Sequence, residues 1–304
     1  MTTGTLQHST ANQLLDPRVL AGLANLELVA RAVVEGFLIG LHRSPVFGFS
    51  QEFAEYRQYA EGDDPRFIDW NVYARSERTY IKRFLGETNS HLVLLLDASA
   101  SMGYGTTTVN KLQYGKYLAA SLAYLASKQH DAIGVMVFDE AVRAYRAPSS
   151  RSGKLHGVMH TIDAASPASG TDLVMPFRRF REHINRRGLV AVISDFYCDP
   201  EAMIAGVRPL AFQGQDVILF HLLDAGELQP EFTSSVLLED LESHQAIEVS
   251  PQFMRRDYPE RIKAHIKTLR DAAAGIGADH VLVDTSKPLD QALRNYLVFR
   301  SKRR

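Results

Sequence analysis

The fold is decided by the stretch His91-Leu92-Val93-Leu94-Leu95-Leu96-Asp97-Ala98-Ser99-Ala100-Ser101-Met102-Gly103. Its five consecutive apolar residues are typical of a short strand that is buried on both faces of a sheet. The apolar run ends at Asp97, and Ser99 and Ser101 follow at alternate positions, so three oxygen-bearing side chains can face one small volume. A hard cation such as Mg2+ prefers oxygen ligands near octahedral geometry and usually keeps some waters. The stretch therefore predicts a divalent-cation site at the end of a buried strand.

Strands and helices alternate along the chain that follows. Further strands are predicted at 132–138, 142–145, 189–193, 217–223 and 280–283, and helices at 111–128, 155–164, 173–185, 200–210, about 259–275 and 289–299. This alternation predicts an α/β fold in which a mostly parallel sheet is covered by helices on both faces. A β-hairpin near 232–250 is predicted to interrupt the pattern.

The chain before this region has a different character. Asp16 and Pro17 are good residues for the start of a helix, and apolar residues then recur at steps of three or four as far as Leu41. The next residues, 44–87, are densely charged and aromatic. We therefore predict two parts: an N-terminal helix with a charged, aromatic β extension over 1–88, and an α/β domain over 89–304.

Composition and charge exclude several classes of function. The formal net charge of -1 favours neither nucleic acid nor an anionic membrane. The arginines of the predicted helix near 180 alternate with apolar residues and are more simply its solvated face: Arg178, Arg179, Arg181, Arg186 and Arg187. A single cysteine, Cys198, excludes an internal disulfide framework and fits a reducing compartment. No apolar run approaches the roughly 18 residues of a membrane span, and no signal peptide is recognisable, so a cytoplasmic location is predicted.

Two predicted strands end in a carboxylate. Asp97 follows the first strand, and Asp195 follows the strand at 189–193. Ligands of open parallel sheets lie beyond the carboxyl ends of the strands, at the point where the strand order reverses. Thr171 adds a hydroxyl from a polar loop that leads into a helix. We therefore predict that Asp97, Ser99, Ser101, Thr171 and Asp195 converge on one ion.

This constellation resembles a known metal site. Asp97-x-Ser99-x-Ser101, followed by Thr171 on a loop and Asp195 at a strand end, resembles the metal-ion-dependent adhesion site of von Willebrand factor A domains. The resemblance implies a von Willebrand A-like, Rossmann-like fold. It also implies that Ser99, Ser101 and Thr171 contact the metal directly, and that Asp97 and Asp195 support it through water. One site for Mg2+, or for Mn2+ or Ca2+, is implied.

The block upstream makes the resemblance more specific. Gly62-Asp63-Asp64-Pro65-Arg66, continued by Ile68-Asp69-Trp70 and Ala74-Arg75, resembles the signature of the bacterial domain-of-unknown-function family fifty-eight. The resemblance runs from about Ser44 to the C-terminal helix. Genes of that family commonly lie beside AAA+ ATPases of the MoxR type. The resemblance therefore implies a partner role in an ATP-driven maturation or chaperone-like system, with a client protein that the sequence does not name.

Two hypotheses of function follow from these residues. The first is a non-catalytic protein-interaction module assisted by a divalent metal, because a cation held by one carboxylate and hydroxyls still attracts an anion from elsewhere. The alternative is a metal-dependent hydrolase that uses Asp97, Asp195 and a bound water. The sequence has neither the His-Glu-x-x-His spacing of a zinc hydrolase nor the glycine-rich phosphate loop of an ATPase. The hypothesis of an interaction module is therefore preferred.

Overall fold

The computed structural model describes most of the chain and supports a division into two compact units. The described residues are 16–23, 25–42, 53–59, 68, 70, 72–73, 78–84, 91–151, 153–168, 170–184, 186–230, 234–241 and 245–302. One unit comprises residues 1–37 and 90–304, and the other comprises residues 38–89.

The regular elements are numbered in chain order. The helices are α1 (Pro17–Leu20), α2 (Leu26–His42), α3 (Lys111–Lys128), α4 (Lys154–Asp163), α5 (Val174–His183), α6 (Pro200–Phe212), α7 (Ala225–Leu228), α8 (Pro251–Gly275) and α9 (Asp290–Lys302). The strands are β1 (Phe53–Gln58), β2 (Tyr80–Phe84), β3 (His91–Asp97), β4 (Ala132–Phe138), β5 (Val142–Ser149), β6 (Leu189–Ser194), β7 (Asp216–Leu223), β8 (Val236–Glu239), β9 (Ala246–Val249) and β10 (Asp279–Asp284). No helix within the described ranges is both long and apolar enough to cross a bilayer.

The larger unit is built on a six-stranded sheet in the order β10-β7-β6-β3-β4-β5. Five strands are parallel, and β5 is antiparallel to β4 at one edge. A tight turn, in which the Asp139 carboxylate accepts the Ala141 N–H at 2.9 Å, is too short for a parallel crossover and forces this reversal. If these six strands are renumbered 1 to 6 in chain order, their order across the sheet is 6-5-4-1-2-3, which is the strand order of a doubly wound fold. The predicted α/β architecture, a mostly parallel sheet with helices on both faces, is confirmed.

Both faces of the sheet are covered, and β3 lies in the middle. Leu96 of β3 packs against Gly115 of α3. The contact is close: a side chain in place of this glycine would bring its Cβ atom within 3.2 Å of the Leu96 Cδ1 atom. Leu95 faces the opposite layer and joins a cluster with Phe177 of α5 and Met203 of α6. Each fully buried leucine contributes about 1.5–3 kcal/mol relative to an exposed one. The strand that opens the domain is therefore fixed from both sides, and this fixes the position of the polar residues that follow it.

The N-terminal region differs from the prediction in two respects. The single helix predicted from Asp16 is two helices: α1 ends at Leu20, and the Asn25 carboxamide starts α2 by accepting the Glu27 N–H at 2.8 Å. The predicted boundary at 88 also differs from the compact units, since residues 1–37 belong with 90–304. The reason is the apolar stripe of α2, in which Phe37 is buried and lies 5.7 Å from the Arg294 guanidinium.

The region after β7 contains the predicted hairpin and a longer helix than predicted. Strands β8 and β9 pair antiparallel within 232–250. Helix α8 begins at Pro251 rather than near Pro259, because the Ser250 hydroxyl caps it by accepting the Phe253 N–H at 3.3 Å. Pro251 suits the first position of a helix. The extra turns carry Met254 and Tyr258.

The smaller unit contains a two-stranded sheet in which β1 and β2 are antiparallel, with Gln58 opposite Tyr80. The rings of Trp70 and Tyr73 meet edge to face, with centroids 6.0 Å apart. Most of the charged block that suggested the family, 62–67 with 69 and 74–75, lies outside the described residues.

Candidate metal centre

The candidate site lies where β3 and β6 end. Asp97 is the last residue of β3 and Asp195 directly follows β6, and these two neighbouring strands flank the point where the strand order reverses. Both side chains are fully buried. The Ser194 hydroxyl donates to the Oδ2 atom of Asp97 at 2.5 Å, which ties the two strand ends together. The sheet thus brings together two carboxylates that are far apart in the sequence.

Ser99 and Ser101 lie on the turn that leaves β3. The Ser99 N–H donates to the Oδ1 atom of Asp97 at 2.8 Å, so the carboxylate holds the turn in place. The hydroxyl oxygens of Ser99 and Ser101 are 3.1 Å apart. Neighbouring oxygens of an octahedral Mg2+ site with bonds of about 2.1 Å are separated by about 3 Å. The two hydroxyls therefore have the spacing of adjacent ligands of one ion.

Thr171 reaches the same edge of the sheet through its loop. The Ala168 N–H donates to the Ala98 carbonyl at 3.0 Å, and the Asp172 N–H donates to the Asp139 carbonyl at 3.3 Å. These bonds anchor the loop on both sides of Thr171 to the ends of β3 and β4. The structure therefore places Thr171 at the edge that carries the other four predicted residues.

Lys111, the first residue of α3, is a further charged residue of this site that no sequence motif predicts. Its side chain is fully buried, and its ammonium lies 2.7 Å from the Oδ2 atom of Asp195 and 2.6 Å from the Oε1 atom of Glu227. The other carboxylate oxygen of Glu227 accepts the Asp224 N–H at 2.7 Å, so Glu227 both caps α7 and holds Lys111. A buried cation therefore already contacts one of the predicted metal-supporting carboxylates.

The pKa values reflect this crowding of buried charge. Burial and the nearby Asp195 carboxylate raise the pKa of Asp97 to about 7, against the lowering effect of its hydrogen bonds from Ser194 and Ser99. Burial by itself would lower the pKa of Lys111, but the Asp195 and Glu227 carboxylates raise it above its ordinary value. Burial raises the pKa of Glu227 although Lys111 opposes this. Ionised carboxylates at this site thus lack sufficient positive charge nearby.

A count of the charges shows how the residues fit a divalent cation. Asp97, Asp195, Asp224 and Glu227 supply four carboxylates, and Lys111 is the one cation that contacts any of them among the described residues. Asp224 is satisfied by neutral groups, including the Thr106 hydroxyl and the Gly226 N–H. No group of three or more His, Cys, Asp or Glu side chains in the described ranges forms a metal site. The side chains at these strand ends offer mixed hydroxyl and carboxylate oxygens, which are the donors that a hard cation prefers.

One protein family has a sequence model that matches most of this chain. The family model described as "Protein of unknown function DUF58" matches residues 55–268, which include all five predicted site residues. The chain belongs to the DUF58 family. The family predicted from the charged block and the serine-rich turn is confirmed.

Relatives of this DUF58 chain occur in mycobacteria. It is 28% identical over 278 residues to Uncharacterized protein Rv1480 of Mycobacterium tuberculosis and to Uncharacterized protein Mb1516 of Mycobacterium bovis, covering 90% of this chain and 86% of each relative. Among solved structures, BatB from Bacteroides thetaiotaomicron is 14% identical with a TM-score of 0.47, covering 70% of this chain and 98% of BatB. The SpRpn10 VWA domain is 13% identical with a TM-score of 0.38, covering 68% of this chain and 94% of that domain.

The backbone of the DUF58 chain is strained directly after Asp195. Phe196 has φ 48°, a left-handed conformation that is uncommon for bulky residues, and its side chain is buried. This turn places the ring centroid of Tyr197 4.7 Å from the Lys111 ammonium. Strain of this kind persists where the surrounding structure enforces it, often at functional sites.

Two signals in the sequence could have identified the missed residues of the DUF58 site. Lys111 lies in the first turn of a helix, where the helix dipole disfavours a cation, so a specific counter-charge could have been expected. Asp224 and Glu227 have the spacing of a capping box, which predicts the start of a short helix at this edge. Neither signal identifies the contact partners, since Lys111 and Glu227 are 116 residues apart.

Proposed function

We propose that the chain is a non-catalytic protein-interaction module in which a divalent cation completes the contact with the partner. The observation that supports this most strongly is the surplus of buried carboxylates beside paired hydroxyls at the ends of β3 and β6. A cation bound there would offer a remaining coordination place to a carboxylate of the partner. Ser99, Ser101 and Thr171 would hold it directly, and Asp97 and Asp195 would support it through water.

Exposed apolar side chains near the site support a protein partner. Met175, four residues after Thr171, is 46% exposed, and Tyr197, two residues after Asp195, is 38% exposed. Leu241, two residues after the end of β8, is 43% exposed. Apolar residues that surround a polar centre are typical of surfaces that bind other proteins.

Binding of the metal can be tested by thermal unfolding. A cation at 100 times its dissociation constant stabilises the folded state by about 2.7 kcal/mol, so Mg2+ or Mn2+ should raise Tm by about 5 °C or more. Asp97→Asn and Ser101→Ala should lose this rise because they remove a supporting carboxylate and a ligand hydroxyl. Asp271→Asn, which changes an exposed carboxylate on α8, should keep it. An equal rise in the Asp97 variant would end the metal proposal.

The proposed partner is a MoxR-type AAA+ ATPase, as the family resemblance implies. We expect the purified chain to capture the MoxR-type ATPase of the same organism in the presence of Mg2+. Chelation of the metal, or Ser99→Ala, should weaken the complex about tenfold, equivalent to about 1.4 kcal/mol. The measurement is a pull-down quantified over a range of ATPase concentrations. Capture that is insensitive to both changes, or capture of nucleic acid alone, would contradict the proposal.

A metal-dependent hydrolase is the second candidate, and one observation favours it. The pKa of Asp97, raised to about 7, is the value that suits a general base near neutral pH. However, Asp97 is fully buried, and each of its oxygens accepts a hydrogen bond, from the Ser99 N–H or the Ser194 hydroxyl. A base must reach its substrate directly or through one water. Steady metal-dependent hydrolysis that is lost in Asp195→Asn would favour the enzyme over the interaction module.

A further inference from the structure

A surface that is both basic and aromatic lies at the edge of the sheet opposite the candidate metal centre. β6 and β7 begin at this edge, whereas the metal centre lies where parallel strands end. The loop before β6 and the turn before β7 meet here. The Gln215 side-chain amide donates to the Arg186 carbonyl at 2.9 Å, and the Asp216 N–H donates to the Gly188 carbonyl at 2.9 Å. The two segments therefore form one continuous surface.

Three arginines and one phenylalanine of this surface form what we call the basic corner: Arg186, Arg187, Arg208 and Phe212. All four are exposed, and Phe212, at 84%, is the most exposed large apolar side chain in the described ranges. Arg208 precedes Phe212 by about one turn of α6, so both lie on the same face of that helix. The Arg187 side chain lies against Gly214, where a Cβ atom would be 2.9 Å from its Nε atom. The corner is thus assembled from two segments that touch.

The positive charge of the basic corner is not balanced by ion pairs. Within the described part of the chain, none of its three arginines pairs with a carboxylate or donates a side-chain hydrogen bond, unlike Arg31 of α2, which binds Glu35 at 2.9 Å. The acid beside the corner, Asp216, is half-buried and takes part in an interaction that does not involve these arginines. Burial, and then the charge of Arg186, lower the pKa of His91. The surplus charge is therefore felt by a neighbouring residue.

The helix that leads to the basic corner carries charge of the same sign. α5 adds two exposed arginines, Arg178 and Arg179, and contains one acid, Glu182. The formal net charge of -1 is a sum over the whole chain and does not describe this local surplus. A negatively charged surface is therefore the electrostatic complement of the corner.

We propose that the basic corner binds the surface of an anionic lipid membrane, with the Phe212 ring inserted among the headgroups. Basic side chains that surround an exposed apolar ring suit this surface, because the charges meet the phosphates while the ring enters the boundary of the acyl chains. A membrane also accepts one protruding ring without a matching pocket, which a protein partner would have to supply. A nucleic-acid strand is less suited, since surfaces that bind such strands stack successive bases on several rings.

The position of the basic corner leaves the metal centre free. The two lie at opposite edges of the same sheet, so a chain that is bound through the corner can still present its metal centre to a protein partner. Three arginines and one ring give reversible attachment rather than stable anchoring, which takes a stronger second signal. The inference does not depend on the metal and goes beyond the proposed function.

The test is co-sedimentation of the full-length chain with vesicles in the presence of a chelator. Vesicles of phosphatidylcholine and phosphatidylserine, in a ratio of about three to one, should pellet the chain at least about tenfold more strongly than vesicles of phosphatidylcholine alone. Binding should weaken as salt is added, because exposed charges are screened.

A double variant tests the charge of the basic corner. Arg186→Gln combined with Arg187→Gln should weaken binding to the anionic vesicles about tenfold or more, since each arginine near such a surface contributes several-fold. The control, Arg255→Gln with Arg256→Gln, removes the same charge from exposed positions on α8 and should leave binding unchanged.

A single variant tests the aromatic ring. Phe212→Ser should weaken binding about tenfold, because it removes the apolar group that enters the membrane. Leu237→Ser, which changes a 70% exposed side chain on β8, should have no effect. Every substituted side chain is exposed, so the Tm of each variant should match that of the wild type.

Three outcomes would overturn the membrane proposal. The first is equal sedimentation with neutral and anionic vesicles. The second is full binding by either variant of the corner. The third is capture of a single-stranded oligonucleotide or of polyglutamate by a chain that does not sediment with vesicles, which would assign the corner to a nucleic acid or to an acidic protein. None of these outcomes bears on the metal-dependent rise in Tm, which tests the metal centre separately.

Discussion

Replacing Lys111 with methionine should lower the free energy of unfolding by about 3–5 kcal/mol in metal-free buffer, because a buried ion pair loses one partner. The variant leaves Asp195 and Glu227 buried beside each other without their shared cation. Methionine has nearly the volume and reach of lysine, so the loss of charge dominates over the loss of packing. The measurement is urea unfolding of the wild type and the variant under identical conditions.

A matched control lies on the same helix. Lys128 is exposed at the end of α3, and Lys128→Met should change the free energy of unfolding by no more than about 0.5 kcal/mol. Added Mn2+ should stabilise the Lys111 variant more than it stabilises the wild type, since the site then carries one more uncompensated negative charge. Equal stability of the Lys111 variant and the wild type without metal would show that this contact does not balance the buried acids.

Replacing Arg300 with methionine should also lower the free energy of unfolding by about 3–5 kcal/mol. Arg300 lies on α9, is 5% exposed, and donates from its Nη1 atom to the Asp131 carboxylate, which is itself buried before β4. The same atom is 3.4 Å from the Tyr296 hydroxyl. The pair joins the last helix to the turn that follows α3, so its loss should be visible in urea unfolding.

Two further variants separate the ion pair from general effects on α9. Arg294→Met removes a partly exposed arginine whose Nε atom is 3.7 Å from Asp290, and it should cost about 1 kcal/mol or less. Adding Asp131→Asn to Arg300→Met should restore part of the lost stability, because the buried carboxylate that lost its arginine partner is then removed as well. A double variant as unstable as the single one would assign the loss to packing of the arginine stem.

The fold could be predicted because its strands are short apolar runs with clear ends. Leu92–Leu96 and Leu189–Ile193 are bounded by polar residues, and the structure extends these strands by only one or two residues. Helix α8 was predicted too short because Pro259 suggested a start, whereas Ser250 and Pro251 provide the actual cap and first turn. The capping contact of Ser250 sets the start of α8. Pro259 lies inside this helix, and it suggested a later start because proline is common at the first position of a helix.

The site could be predicted in part for a related reason. Asp97 and Asp195 were predictable because each directly follows a strand, and the carboxyl ends of parallel strands meet at one edge. The role of Lys111 was not, because its partners depend on how α3 and α7 approach that edge, which no local pattern specifies. The resemblance to von Willebrand A domains predicted five site residues. It did not predict the buried Lys111 ammonium that lies beside them.

Glu227 connects helix α7 to the candidate metal centre. One of its oxygens accepts the Asp224 N–H and the other binds Lys111, which in turn binds Asp195. A displacement of α7 would therefore change the electrostatic field at Asp195 without direct contact with that residue. Any coupling free energy that results is reciprocal: a ligand at either position alters the affinity for the other by the same factor.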